Sequence, residues 1–426
     1  MPPPPRVLII AENASRRFGG EATLPLHLFR VLRSRGAAAW LITHERCRAE
    51  LQAEFPNDDH LCFVAETRLD RILEKCAGVL PDRLATFTFR QLARFRTQRA
   101  AMRLARQLIR DEEIELIHQP VPVAPRDVSL VRKMGVPVVF GPFNGGMTFP
   151  PGFAPTDGLF AQMFITVGRA FSKLIHTLFP AKREAALLLV ANQRTRNALP
   201  VEAGNRVRLL VENGVEMSVW KQPPPRSEKP AGQAAFAFVG RLVEWKAVDV
   251  LLNGFARVVN ELPGVTLDIV GDGVSRASLE TLAKSLGIEK NVTFHGWLKQ
   301  TDAAGVLARA DAFVLPSLYE SGGAVVLEAM AVGLPVIATK WGGPCDYLDA
   351  RSGILVEPTS RDALIAGFAD AIRTLANAPA RRVAMGQAGR QRVERDFDWE
   401  RKVDHLLTLY REVIAVETPA LVAAAT

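Results

Sequence analysis

The chain has 426 residues, of which 48% are hydrophobic and 23% charged, a mix that suits a globular protein of two or three domains and excludes a disordered or fibrous one. Cys47, Cys62, Cys76 and Cys345 form no C-x-x-C, so neither a disulfide framework nor a zinc cluster is expected. The net charge of +8 is uneven: residues 1–215 carry 30 Lys and Arg against 20 Asp and Glu, and the remainder 23 against 25. A basic first half suggests an anionic partner: a membrane face, a charged acceptor or nucleic acid. The start, Met1-Pro-Pro-Pro-Pro, does not read as a signal peptide, and no apolar run of spanning length occurs, so a reducing, cytoplasmic setting is expected.

Residues 6–12 (RVLIIAE) read as a strand, and residues 21–35 follow with helical spacing. Gly19 and Gly20 lie between them, where a helix N-terminus would expose unpaired N–H groups. The pair is too short for a G-x-G-x-x-G motif and is weak alone. Residues 37–43 and 61–65 read as further strands. Residues 82–110 hold eight arginines, with apolar residues at Leu84, Phe87, Phe89, Leu92, Phe95 and Met102. That pattern suits either a helix on an anionic membrane surface or a solvated helix. No recognition motif accompanies the charge, which argues against nucleic acid. Residues 115–118 close a strand at His118, and 136–141 form another, followed by the glycine- and proline-rich loop 141–152. Residues 160–179 give a second basic, aromatic-bearing pattern, and 187–191 and 208–211 complete a first sheet.

Residues 217–233 have linker composition, and the alternation then restarts. Strands are predicted at 234–239, 265–270, 291–294 and 311–315, with helices at 248–261, 275–286, 302–310 and 324–332, and a last helix at 396–413. Two βαβ arrays across a linker predict an α/β chain of two doubly wound, Rossmann-like parallel-sheet domains. The expected divisions are 1–215, 216–395 and a closing helix within 396–426. Gly240 and Arg241, with Lys246 five residues on, follow the first strand of the second domain; two cations at a strand end suit a diphosphate. Gly271-Asp272-Gly273 is a tight turn, and Gly296-Trp297 ends another strand.

The stretch 315–335, LPSLYESGGAVVLEAMAVGLP, carries the most chemistry. A buried strand ends at Pro316, Glu320 rides the loop, and Ser321, Gly322, Gly323 and Ala324 lead into a helix that contains Glu328. Such a helix N-terminus favours phosphate, its glycines admit close approach, and an inner carboxylate can accept two hydroxyl donors of a ribose. The plain alternative is a capping acid and a solvated helix acid.

The stretch resembles the donor-site signature of the retaining family 4 glycosyltransferases of the GT-B superfamily, down to L-E-A-M-A followed by G-L-P-V-I-A-T. It departs at Gly322, where many relatives have an aromatic residue. V-G-R-L-V-E-W-K resembles the family's phosphate-binding segment, with Ala247 replacing a usual glycine. The resemblance covers most of the second half and, more loosely, the first. It implies the GT-B fold, two domains facing a cleft, with the closing helix crossing back to the first. It implies a retaining transfer of a hexose from a nucleotide diphosphate sugar to a lipid-linked or polysaccharide hydroxyl acceptor, at the inner face of a membrane. Glu320, Arg241, Lys246 and His118 are the implied catalytic residues; His118 would bond a sugar hydroxyl, its alternative being a structural histidine. Gly19, Gly20, Gly240, Gly271, Gly296, Trp297, Ser321, Gly322, Gly323, Ala324 and Glu328 would bind donor, and Asp346 would either close the pocket or cap a helix. No D-x-D follows an apolar strand and no metal-ligand cluster appears, so no metal or cofactor is expected. The rivals are a GT-B nucleotide-sugar epimerase and a non-catalytic nucleotide-sugar-binding or membrane-scaffold protein.

Overall fold

The computed structural model describes residues 3–78, 86–153, 175–223 and 229–425, which form two units, each built on a parallel sheet. One unit comprises Met1–Gly146, Leu159–Glu212 and Lys402–Thr426; the other comprises Met147–Gly158 and Asn213–Arg401.

In the first unit β1 (Val7–Ile10), β2 (Ala39–His44), β3 (Leu61–Val64), β4 (Leu116–Gln119), β5 (Val138–Phe143), β6 (Leu187–Val190) and β7 (Val207–Leu209) pair in the order β3-β2-β1-β4-β5-β6-β7. The register is parallel throughout. Strands covered on both faces need apolar residues at every position, and VLII of β1 and LLLV of β6 are buried along their whole length. Leu8, Ile42, Ile117, Phe140 and Leu188 centre the core. The order reverses between β1 and β4, and ligands of such sheets gather beyond the strand ends at that point.

Of the predicted basic helix, residues 82–85 lie outside the described residues; Thr86–Arg90 form a π-turn and Gln91–Asp111 an α-helix burying Ala101, Met102 and Ala105. Arg94 pairs with Glu12 and Asp127, and Arg96 with Asp70. Residues 160–174 of the second basic pattern also lie outside the described residues. No described helix is long and apolar enough to cross a membrane.

In the second unit β8 (Ala235–Val239), β9 (Thr266–Val270), β10 (Val292–Gly296), β11 (Ala312–Leu315), β12 (Val336–Thr339) and β13 (Gly353–Val356) pair in the order β10-β9-β8-β11-β12-β13, again parallel. Here the order reverses between β8 and β11. Two helices the sequence reading leaves unassigned, Arg361–Asn377 and Pro379–Asp396, follow β13. The Ser360 hydroxyl caps the first by accepting from the Ala363 N–H. The buried Arg382 guanidinium closes its end, donating to the Leu375 and Ala376 carbonyls. The last helix, Trp399–Ala425, starts three residues later than the predicted 396 and from Lys402 onward belongs to the first unit.

Candidate functional site

The site of the second unit is built where its strand order reverses. Beyond β8 the chain runs through Gly240 and Arg241 into a 3-10 turn, Glu244–Lys246, and then the helix Val248–Glu261. The hinge between turn and helix is Ala247, buried, with φ 51° and ψ 36°. An L-residue is strained in that left-handed region, and this is the position where the resemblance expects glycine. The turn delivers Lys246 to Glu320, which rides the loop after β11; the ammonium and the carboxylate form an ion pair, each side chain 14% exposed. Arg241 is exposed, its guanidinium 5.7 Å from the Trp245 ring centroid, and it has no ion-pair partner among the described residues. It is therefore a cation available to a ligand.

The loop after β11 ends at Gly323, which enters the helix Ala324–Val332 at φ 80° with no side chain capping it. The first N–H groups of that helix thus face outward without a side-chain acceptor, an arrangement that draws anions. Glu328 lies one turn inside. Its helix is otherwise apolar, with Val326, Leu327, Ala329, Met330, Ala331 and Val332 buried. Burial pushes the Glu328 carboxyl up to about 7, and no hydrogen-bond partner meets it among the described residues. A carboxylate placed this way is costly unless a ligand satisfies it.

Neighbouring loops are locked to one another at separations only glycine tolerates. A Cβ on Gly271 would stand 1.9 Å from the Gly240 carbonyl oxygen, while the Gly271 N–H donates to the Gly296 carbonyl at 2.8 Å. The ends of β8, β9 and β10 are joined in this way. Across the site, a Cβ on Gly343 would stand 1.9 Å from the Gly322 carbonyl oxygen, and the Gly343 N–H donates to the Glu320 carbonyl at 2.8 Å. Gly342 and Gly343 were missed in the sequence, although the W-G-G-P run after an apolar strand carried the signal. Trp341 beside them donates its indole N–H to the Thr148 carbonyl at 2.7 Å.

Trp297 follows β10 and is 72% exposed, an open ring face. Asp346 lies in the first turn of the helix Pro344–Tyr347 and is not its cap, a place taken by Gly343. Ser321 sits on the Glu320 loop and is partly buried. Against the Lys246 turn a cavity of about 620 Å³ opens among Phe149, Phe153, Trp245, Val248 and Leu318; Glu320 and Glu328 do not line it. No group of three or more His, Cys, Asp or Glu among the described residues could hold a metal ion.

In the first unit, Gly19 takes φ 90° just before the helix Gly20–Ser34, which no side chain caps, and both glycines are exposed. His118 requires a correction. It is fully buried on β4, its Nε2 within 2.5 Å of the Gly141 carbonyl and its Nδ1 2.6 Å from the Tyr410 hydroxyl. The carbonyl only accepts, so Nε2 carries the proton and the tyrosine donates to Nδ1. Burial lowers the ring to about 4, and it stays neutral. Both nitrogens being engaged inside the unit, His118 has nothing left for a substrate: it is a structural residue that anchors the last helix. The sequence showed it at a strand end but not the tyrosine 292 residues later.

Residues 221–392 match the model of the family described as "Glycosyl transferases group 1". A glycogen synthase of Mycobacterium tuberculosis is 35% identical over 193 residues, 45% of this chain and 45% of that protein. A D-inositol 3-phosphate glycosyltransferase of Segniliparus rotundus is 40% identical over 185 residues, 42% of this chain and 40% of its own length. The chain thus spans under half the length of either relative. Over 96% of the chain, the crystal structure of Anabaena HepE in complex with UDP is similar with a TM-score of 0.65 and 16% identity, and all of that chain is covered. Residues 221–392 are thus similar to the group 1 glycosyl transferases, and the two parallel-sheet units have the GT-B fold.

Proposed function

We propose that this protein is a retaining glycosyltransferase that moves a hexose from a nucleotide diphosphate sugar to a hydroxyl acceptor during polysaccharide or glycolipid assembly. One arrangement carries the reading: an uncapped helix N-terminus, a Lys246–Glu320 pair beside it, and the unpartnered Glu328 one turn inside. The helix dipole, Lys246 and Arg241 neutralise the diphosphate as it departs. Glu328 accepts the two ribose hydroxyls, and Glu320 positions both the ammonium and the sugar. In the transfer, the bond from the anomeric carbon to the diphosphate oxygen breaks, and the acceptor oxygen bonds to the same face of that carbon. The acceptor proton passes to the departing phosphate. Because protein cations and the helix neutralise the diphosphate, no metal or organic cofactor is required, and transfer should survive a chelator.

The UDP bound by the Anabaena protein and the polysaccharide- and glycoside-forming names of the relatives support this reading. The excess of basic residues in the first half supports work at the cytoplasmic face of a membrane, in peripheral contact with anionic lipid. A thermal-shift panel of UDP- and GDP-hexoses tests the donor. A true donor at 100 times its Kd adds roughly 2.7 kcal/mol of stability. A panel in which no nucleotide sugar shifts the melting temperature contradicts the proposal.

A further inference from the structure

The cavity of about 620 Å³ against the Lys246 turn stands apart from the donor site, since Arg241, Lys246, Glu320 and Glu328 all lie outside its lining. It opens within the second unit, where the helices Val248–Glu261, Arg276–Ser285 and Arg361–Asn377 begin. Its volume falls within the roughly 300–1,000 Å³ of small-molecule pockets. Ala247, Val248, Leu279 and Leu318 give it a buried apolar lining, and Phe149, Phe153 and Trp245 add aromatic walls. Those walls are seated. The Phe149 ring centroid lies 5.1 Å from that of Tyr319, and a Cβ on Gly152 would stand 2.2 Å from the Thr359 carbonyl oxygen. An apolar body entering here therefore meets a surface that is already ordered.

We propose that this cavity binds an organic cation carrying an apolar, ring-bearing body, at a site separate from the donor's. Charge selects the class of ligand. The lining holds three charged residues, Glu244, Asp249 and Arg361. Arg361 is committed to Asp249, its Nη2 lying 2.5 Å from the carboxylate. Glu244 has no ion-pair partner among the described residues, so one negative charge is left over. Asp249 also sits in the first turn of its own helix and matches the positive end of that dipole, which therefore does not reserve the cavity for an anion. Aromatic faces attract cations through their quadrupole, and Trp245 already draws one: the Arg241 guanidinium lies 5.7 Å from its ring centroid. An ammonium group suits Glu244 and the rings, whereas a carboxylate or phosphate would meet the unmatched Glu244. A small ammonium ion alone would leave most of the volume unfilled; a ring-bearing body buries against Val248, Leu279 and Leu318. The site stands whether or not the donor reading above holds.

Ligand-observed NMR titrations of the full chain near neutral pH, with phenethylammonium, 2-phenylethanol and 3-phenylpropionate, test the site, because the three probes share a ring and differ in charge. The cation is expected to bind about tenfold tighter than the alcohol, the combined worth of one carboxylate contact and one ring contact at an exposed position. The anion should bind weakest. Glu244→Gln, a change at an exposed residue, should cut the cation's advantage to about threefold, the ring contact alone. Ser278→Trp, also at an exposed position, fills the cavity and should abolish binding of all three probes, with a melting curve to show that it folds. Saturating UDP should leave the cation in place. Tightest binding of 3-phenylpropionate, equal affinity for the three probes or no binding of any overturns the site. So does a cation advantage untouched by Glu244→Gln, binding that survives Ser278→Trp, or displacement by UDP.

Discussion

Lys246 and Glu320 form an ion pair largely shielded from water, so each can be removed only by leaving the other charge unmatched. Their roles still separate. Under the proposed roles Lys246→Ala removes the cation assigned to the departing diphosphate, and it should lower kcat/KM on the order of 10²-fold or more. Glu320→Gln keeps the loop shape and should spare nucleoside diphosphate affinity while reducing transfer. Equal loss of UDP affinity in both variants would show the division of roles to be wrong; melting curves check that each folds.

Glu328 makes a pH-dependent prediction. Its carboxyl is held up at about 7 by burial, so in the free protein it is largely protonated below that value. Ribose hydroxyls donate to the ionised form, and binding should therefore strengthen as pH rises from 6 to 8. The donor's diphosphate diester does not titrate in that range. Calorimetry with a nucleotide sugar should show the rise in the wild type and a flat, roughly tenfold weaker profile in Glu328→Gln. A wild-type affinity indifferent to pH contradicts the ribose assignment.

Among the elements, the loops beyond the strands do more than the helices to shape the site. Gly343→Ala would place a methyl carbon on the Gly322 carbonyl, which is backbone and cannot yield as a flexible side chain does. The loop bearing Glu320 must shift, and productive geometry depends on shifts well under 1 Å. Donor affinity and transfer should both fall by on the order of 10²-fold, with a lower melting temperature. An unaltered melting temperature and donor affinity would mean that the two loops are not clamped as described.

The same scale shows what the sequence made legible. Helix Ala324–Val332 and helix Val248–Glu261 were predicted to the residue, because an apolar period bounded by glycine or by a strand end is local information. The Lys246–Glu320 pair joins residues 74 apart. Chemistry and position suggested both partners, but only the fold shows them touching. His118 looked like a crevice residue because its strand end was visible and Tyr410 was not. The Gly322–Gly343 approach was invisible, since nothing in one loop states how near another runs.

At the scale of the whole molecule, two parallel sheets, each reversing its order once, place the chemistry-bearing loops at the carboxyl ends of the strands in each unit. The fold class followed from alternation of apolar strands and helical runs; which charges of the first half are matched did not, because charge totals ignore pairing. Arg94 and Arg96 count toward the positive excess yet are matched by Glu12, Asp127 and Asp70. Arg99, Arg103, Arg106 and Arg110 of the same helix are exposed, and the proposal assigns them to lipid. Sedimentation with anionic vesicles should show binding at low salt, release at high salt and none with neutral vesicles, since each arginine near the surface contributes about 1 kcal/mol and screening removes it. Indifference to anionic vesicles at low salt would remove the membrane from the proposal.

The central claim is retaining transfer from a nucleotide sugar, and the anomeric configuration of the first product tests it most directly. With the α-linked UDP-hexose that stabilises the protein most, proton NMR should follow turnover with a sugar acceptor, or slow hydrolysis without one. The account predicts that the α-configured product appears first. A β-configured first product, or an intact donor after prolonged incubation with neutral sugar acceptors, would contradict it.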